Sequence, residues 1–367
     1  MTESNARPDD RLRYWLGFHL IPRIGGARIA QLVARLGSIE AAWQAGEREL
    51  RAAGLPADAV ASILSERPKI DLDREINRLE QHGVRPLTLD DDEYPRLLRH
   101  ISSPPPILYV RGELLATDEL AIGIVGTRRA STYGADMATR ISADLARAGV
   151  TIVSGLALGI DTSAHRAALD AGGRTIAVFG CGLDTIYPPR NRNLADQIVE
   201  SGALVSEYPL GTRPDARNFP VRNRIISGMS RGVAVIEAPT RSGALITTMF
   251  AAEQGRDVFA VPGSALSAAS AGCHALIRDG ATLVTSADHI LEYLDVAAVE
   301  AHAQSRMALP ETDSERILIA LVGAEPRHID ELAYDSGLPI HEASGTLLAM
   351  ELKGLVRGAG AGHYVRA

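Results

Sequence analysis

Between residues 120 and 285 the chain repeats one phrase: a short, nearly unbroken run of Val, Ile and Ala ended by Gly, Pro or Ser, then a stretch long enough for a helix. The runs are LAIGIVG, VTIVSG, RTIAVFG, ALVSEYP, GVAVIEAP, DVFAVPG and ATLVTS. A strand with one face in water alternates apolar and polar residues, whereas a strand without alternation is covered on both faces, the condition of a parallel sheet between two helical layers. The intervening segments are long enough for the crossovers that parallel strands require. The repeat predicts an α/β fold whose centre is a Rossmann-like, doubly wound, mostly parallel sheet over residues 86–295.

The flanks read differently. Residues 1–85 have helical periodicity broken by Gly and Pro, as in a small all-α domain. Within it "IPRIGGARIAQLVARLGS" (Ile21 to Ser38) has the form of a helix-hairpin-helix, SAM-like module, whose glycine turn and helix start either offer backbone N–H groups to a phosphate or serve only to pack a small module. Residues 71–115 form a connector in which "SSPPPILYVRG" places three prolines, and hence extended chain, before a short strand. Residues 296–310 lack turn chemistry and read as a linker. Residues 311–367 give three helical segments and then a hairpin bearing Gly358, Gly360 and Gly362, the order of a winged helix. That segment holds nine acidic residues against five basic ones, so its candidate recognition helix, "IHEASGTLLAMELKG", repels phosphate and is expected to contact protein or to pack instead.

Bulk properties narrow the function classes. The net charge of −7 excludes a protein that coats duplex DNA through a global basic field, so any nucleic-acid site must be a local patch. Lys69 and Lys353 are the only lysines, and arginine is the cation this chain uses. Cys181 and Cys273 stand far apart, and the histidines show no metal-ligand spacing, so neither a disulfide, a metal nor a cofactor is expected. The start carries acidic residues and lacks the form of a secretory signal, and no apolar run reaches the length of a spanning helix. A cytoplasmic protein without a membrane contact is the expectation.

Ligands of open parallel sheets bind beyond the carboxyl ends of the strands. Those ends here carry "GTRRASTYG", "SGLALGID", "GCGLDTIYPPRNRN", "EYPLGTRPDARNFPVRNR" and "EAPTRSGALITT". Gly126, Gly155, Gly159 and Gly243 let backbone amides approach an anion, with Thr127 and Ser242 beside them. Arg128, Arg190, Arg192, Arg213, Arg217, Arg222, Arg224 and Arg241 are expected around the same rim. One nucleotide does not need so many guanidinium groups, but a polymer presents a phosphate at every step. Phe219, in a chain with only 4% aromatic residues, is a candidate platform for a base, so the set points to single-stranded nucleic acid. The competing assignment pairs these arginines internally with Asp161, Glu207 or Glu237 and makes Phe219 a core anchor.

An enzyme acting on a nucleotide, as an N-glycosidic or phosphate hydrolase, is the alternative. Asp161 and His165 lie four apart on one helix, with Glu207 or Glu237 as acid/base partner. No nucleophile elbow or phosphate-binding GxxxxGK[ST] accompanies them, and no catalytic residue is assigned. A dinucleotide oxidoreductase is weaker still, because "GTRRAS" lacks the G-x-G-x-x-G spacing.

The quoted motifs, taken with "VSGLALGIDTSAH", "FPVRNRIISGMS" and "GRDVFAVPG", resemble in order those of the DprA/Smf DNA-processing family through nearly the whole central domain. The resemblance implies a dimer, associating through the Rossmann-like domain, that binds and protects incoming single-stranded DNA during natural transformation. It further implies loading of the RecA recombinase onto that DNA, with no chemical reaction. Carried over by motif, the DNA site includes Gly126, Thr127, Arg128, Phe219, Arg222, Asn223 and Arg224. Many members have a basic residue where this chain has Ala216, and Arg217 beside it is the expected substitute.

Overall fold

The computed structural model describes residues 8–294, 312–323, 326–352, 355–360 and 362–366. The segment read as a linker lies outside them. The chain divides into two compact units, Met1–Ile290 and Leu291–Ala367.

All seven apolar runs form strands of one nine-stranded sheet. They are β3 (Ala121–Val125), β4 (Thr151–Ser154), β5 (Thr175–Phe179), β6 (Ala203–Ser206), β7 (Gly232–Val235), β8 (Asp257–Ala260) and β9 (Thr282–Leu283), after β1 (Arg85–Thr88) and β2 (Ile107–Gly112). The order across the sheet is β1-β2-β6-β5-β4-β3-β7-β8-β9. The neighbours from β6 to β9 run parallel, while β2 is antiparallel to both β1 and β6. The connector thus adds two strands, of which only β2 is announced by its sequence.

The pleat explains why these runs are apolar throughout. Ile107, Tyr109, Ala177, Phe179 and Leu204 belong to one core, and their chain neighbours Leu108, Val110, Ile176, Val178, Ala203 and Val205 to the other. Successive residues point to opposite faces, and both faces are covered. The first core is shared with the N-terminal helices through Trp15, Phe18, Ile29, Leu32 and Ile63. The hairpin read as a phosphate grip packs at Gly26, where a Cβ would lie 3.5 Å from Pro106. His19 reaches from the first helix, Pro8–Leu20, to the carbonyl of Glu207 at 2.9 Å.

The C-terminal unit has the helices Asp313–Leu321, Ile329–Ser336 and Ile340–Leu352 and a three-stranded sheet, β10 (Arg327–His328), β11 (Val356–Gly360) and β12 (His363–Arg366), ordered β10-β12-β11. Leu318, Leu332, Leu347, Met350 and Val356 form its own core, completing a winged helix. Among the described residues no helix is long and apolar enough to cross a membrane.

Candidate nucleic-acid interface

The chain winds outward from β3 through β4 to β6, then returns to lay β7 on the other side of β3. The crevice at this reversal is where an open α/β sheet holds its ligand. Three turns interlock there. Thr127 N–H donates to the Glu237 carbonyl at 2.7 Å, and Ile160 N–H donates to the Thr127 carbonyl at 3.2 Å. Gly126 and Gly159 make this possible: a Cβ on Gly126 would lie 2.5 Å from Ile160, and Gly159, at φ +82°, already has its Cβ direction 2.3 Å from the Thr127 carbonyl.

A cleft of about 510 Å³ opens above these turns. It is lined by Gly126, Thr127 and Arg128 from the turn after β3, and by Phe219, Arg222 and Asn223 from the helix Asn218–Gly228. Ser242 and Gly243, at the start of the helix Ala244–Glu253, complete it together with Arg241. The positive end of that helix dipole meets the cleft. Gly155 lines a smaller neighbouring cavity, and Asn223 Nδ2 ties the two helices by donating to the Gly243 carbonyl at 3.2 Å.

The arginines divide. Arg128, Arg190, Arg192, Arg213 and Arg241 are exposed, and among the described residues none of them forms an ion pair. Arg222 and Arg224 depart from the rim expected of them. Arg222 is only 5% exposed and donates to the carbonyls of Gly155, at 3.0 Å, and Val178. Gly155 is what admits it, since a Cβ there would lie 2.6 Å from both terminal nitrogens of Arg222. Burial lowers the Arg222 pKa to about 10, still cationic at neutral pH. Arg224 makes a two-pronged pair with Glu207 at 2.9 and 2.7 Å. Arg217 lies outside the cleft lining and pairs with Asp215 at 3.0 and 2.7 Å, so it does not face the cleft beside Ala216. This Arg217 hydrogen bond holds the Asp215 carboxyl down at about 2.

The residues considered for catalysis are buried or hydrogen-bonded. Asp161 accepts from the amides of Gly155 and Ala157, each at 3.2 Å, and burial pushes its pKa up to about 6 against the opposing charge of Arg222. His165 is fully buried, Nδ1 is 2.7 Å from Thr175 Oγ1, and burial drives its pKa down to about 3. Glu237 accepts from Ser131 N–H at 2.8 Å and Ser131 Oγ at 2.6 Å, holding the start of the helix Thr132–Arg147. Among the described residues no group of His, Cys, Asp or Glu is placed to hold a metal ion.

One residue escapes the sequence reading. Tyr187, in the loop after β5, stacks on Phe219 with ring centroids 5.5 Å apart and planes 28° apart. It sits in "GCGLDTIYPPRNRN", a Pro-rich loop in which an aromatic residue has no periodic signal.

Comparison with known proteins agrees with this architecture. The family profile of DNA recombination-mediator protein A matches residues 85–295, and that of the DprA winged helix domain matches residues 300–362. Protein Smf of Synechocystis is 38% identical over 94% of this chain and 96% of its own length, and Protein Smf of Escherichia coli 40% identical over 96% and 95%. The X-ray structure of DprA from Streptococcus pneumoniae superimposes with a TM-score of 0.66 at 36% identity, covering 76% of this chain and 97% of that one. DprA from Helicobacter pylori, solved for its single-stranded DNA binding mode, gives 0.52 at 29% identity over 58% and 97%. Two matching domain profiles in the right order, with relatives aligned nearly end to end, place the chain in the DNA recombination-mediator protein A family, the DprA/Smf proteins.

Proposed function

We propose that this chain binds single-stranded DNA along the carboxyl-end rim of its sheet, protects it, and loads the RecA recombinase onto it during natural transformation. It does so in the cytoplasm, as a homodimer through the Rossmann-like domain and without catalysis. The observation that carries the reading is the pair of exposed arginines, Arg128 and Arg241, that line a cleft holding an aromatic pair and have no acidic partner among the described residues. Unpaired guanidinium groups and stacked rings are the two requirements of a sequence-tolerant single-strand site. Gly126, Thr127, Arg128, Asn223, Ser242 and Gly243 meet the strand. Phe219 and Arg222 hold the site up from below, with Gly155 giving Arg222 room and Gly159 admitting the Thr127–Arg128 backbone. The non-catalytic part is supported by Asp161, Glu207 and Glu237, whose carboxylates accept structural hydrogen bonds, and by the full burial of His165.

A gel-shift titration of single-stranded against duplex DNA across salt tests the reading. Preference for the single strand is expected, with an affinity that falls by about 0.7 log per log of salt for each phosphate contacted. Equal or tighter duplex binding overturns it. Sedimentation at micromolar concentration tests the dimer, and the rate of RecA filament assembly tests loading, a flat rate removing that part alone.

A further inference from the structure

Phe219 is the aromatic that the sequence offers to a base, yet its half-buried ring already has close neighbours. Tyr187 stacks on it at 5.5 Å, and the guanidinium carbons of Arg128 and Arg222 lie 5.5 and 5.9 Å from its centroid. Gly180 closes one edge so tightly that a Cβ there would come within 2.9 Å of Phe219 Cδ1. Of the two stacked rings Tyr187 is exposed and Phe219 half-buried, so Tyr187 is the one more open to a base.

Tyr187 is 41% exposed while resting on Phe219. Beside it a cavity of about 60 Å³ is lined by Tyr187, Leu158, Pro188 and Phe219, and Leu158 is itself 39% exposed. Two apolar groups this open, lining one cavity beside the exposed Arg128, offer the burial that a flat aromatic ligand supplies. Exposed Arg128 contributes to the same cavity, and exposed Arg190 follows Tyr187 by three residues, so a base seated here has cations available to its phosphates.

We propose that Tyr187, assisted by Leu158, is the ring on which a nucleobase of the bound strand stacks, and that Phe219 is a positioning residue that holds Tyr187 in place. The proposal rests on the single-stranded DNA reading above. Because every base has a π-face, this site accepts all four bases and selects for an unpaired one.

The test uses the full chain and an oligothymidylate carrying one 2-aminopurine, whose emission changes when the base stacks. Wild type should bind with a clear emission change. Tyr187→Ala should bind about tenfold more weakly and lose the emission change. Tyr187→Leu, which keeps apolar bulk over Phe219 and so guards against a folding defect, should also lose the emission change, and Tyr187→Trp should restore affinity and signal together. Arg128→Ala should weaken binding yet keep the emission change. Wild-type affinity and signal in both Tyr187→Ala and Tyr187→Leu would overturn the stacking site while leaving the DNA reading intact. Absence of binding by the wild type would remove both.

Discussion

The two ends of the central sheet use the same residue in opposite ways. At the amino end, Arg174, Arg231 and Arg256 each stand immediately before a strand, and each is anchored. Arg174 holds Asp118 at 2.9 Å through both Nε and Nη2 and also donates to the Glu113 carbonyl, while Arg231 and Arg256 donate to the carbonyls of Glu119 and Leu97. At the carboxyl end, Arg128, Arg190, Arg192, Arg213 and Arg241 are exposed and form no ion pair among the described residues. Counting arginines therefore does not locate a binding surface in this chain. Exposed arginines without an ion pair also lie elsewhere among the described residues, as at Arg35, Arg140 and Arg166. What marks this rim is that such cations gather beside a cleft, where hydrated guanidinium groups exchange counterions for phosphate.

Four substitutions sharpen or break that contrast. Arg174→Ala should have the largest effect, about 3–5 kcal/mol of unfolding free energy in a urea titration, because it strands a buried carboxylate, while the folded fraction binds DNA as before. Arg222→Ala should follow, with roughly 2 kcal/mol lost through two charged hydrogen bonds, and with DNA affinity lowered but the salt slope unchanged. Arg128→Ala should do the reverse, leaving stability within about 0.5 kcal/mol and lowering the slope of log affinity against log salt by about 0.7. Arg217→Ala should show the smallest change in both melting temperature and slope, since its partner is the neighbouring Asp215. A slope change in Arg222→Ala equal to that in Arg128→Ala would erase the distinction between anchored and free cations at this rim.

Much of this could be read from the residues, and the reasons for the exceptions are physical. The seven apolar runs are strands because continuous Val, Ile and Ala cannot be satisfied by a half-exposed element. Arg85–Thr88 escaped because its sequence, RPLT, has no strand signature, and it becomes one by pairing with Ile107–Val110. The glycine turns were legible because they have few other uses at a strand end. The burial of Arg222 was not, since it depends on Gly155, 67 positions away in the chain, lying beneath the right face of the helix. Glu207 and Arg224 were both in view as candidates for function, and their attraction to each other settles where both go. Tyr187 was hidden by its surroundings, a Pro-rich loop in which an aromatic has no periodic signal.

The missing side chain at position 155 has a consequence for how this surface can be lost. One methyl group there would evict the guanidinium beneath it, and the turn of helix that carries Phe219 would lose its support. Tyr187, leaning on that ring, would shift in turn. A change at a strand end, in a residue with no side chain of its own, can thus disable the rim as thoroughly as the removal of a charged group.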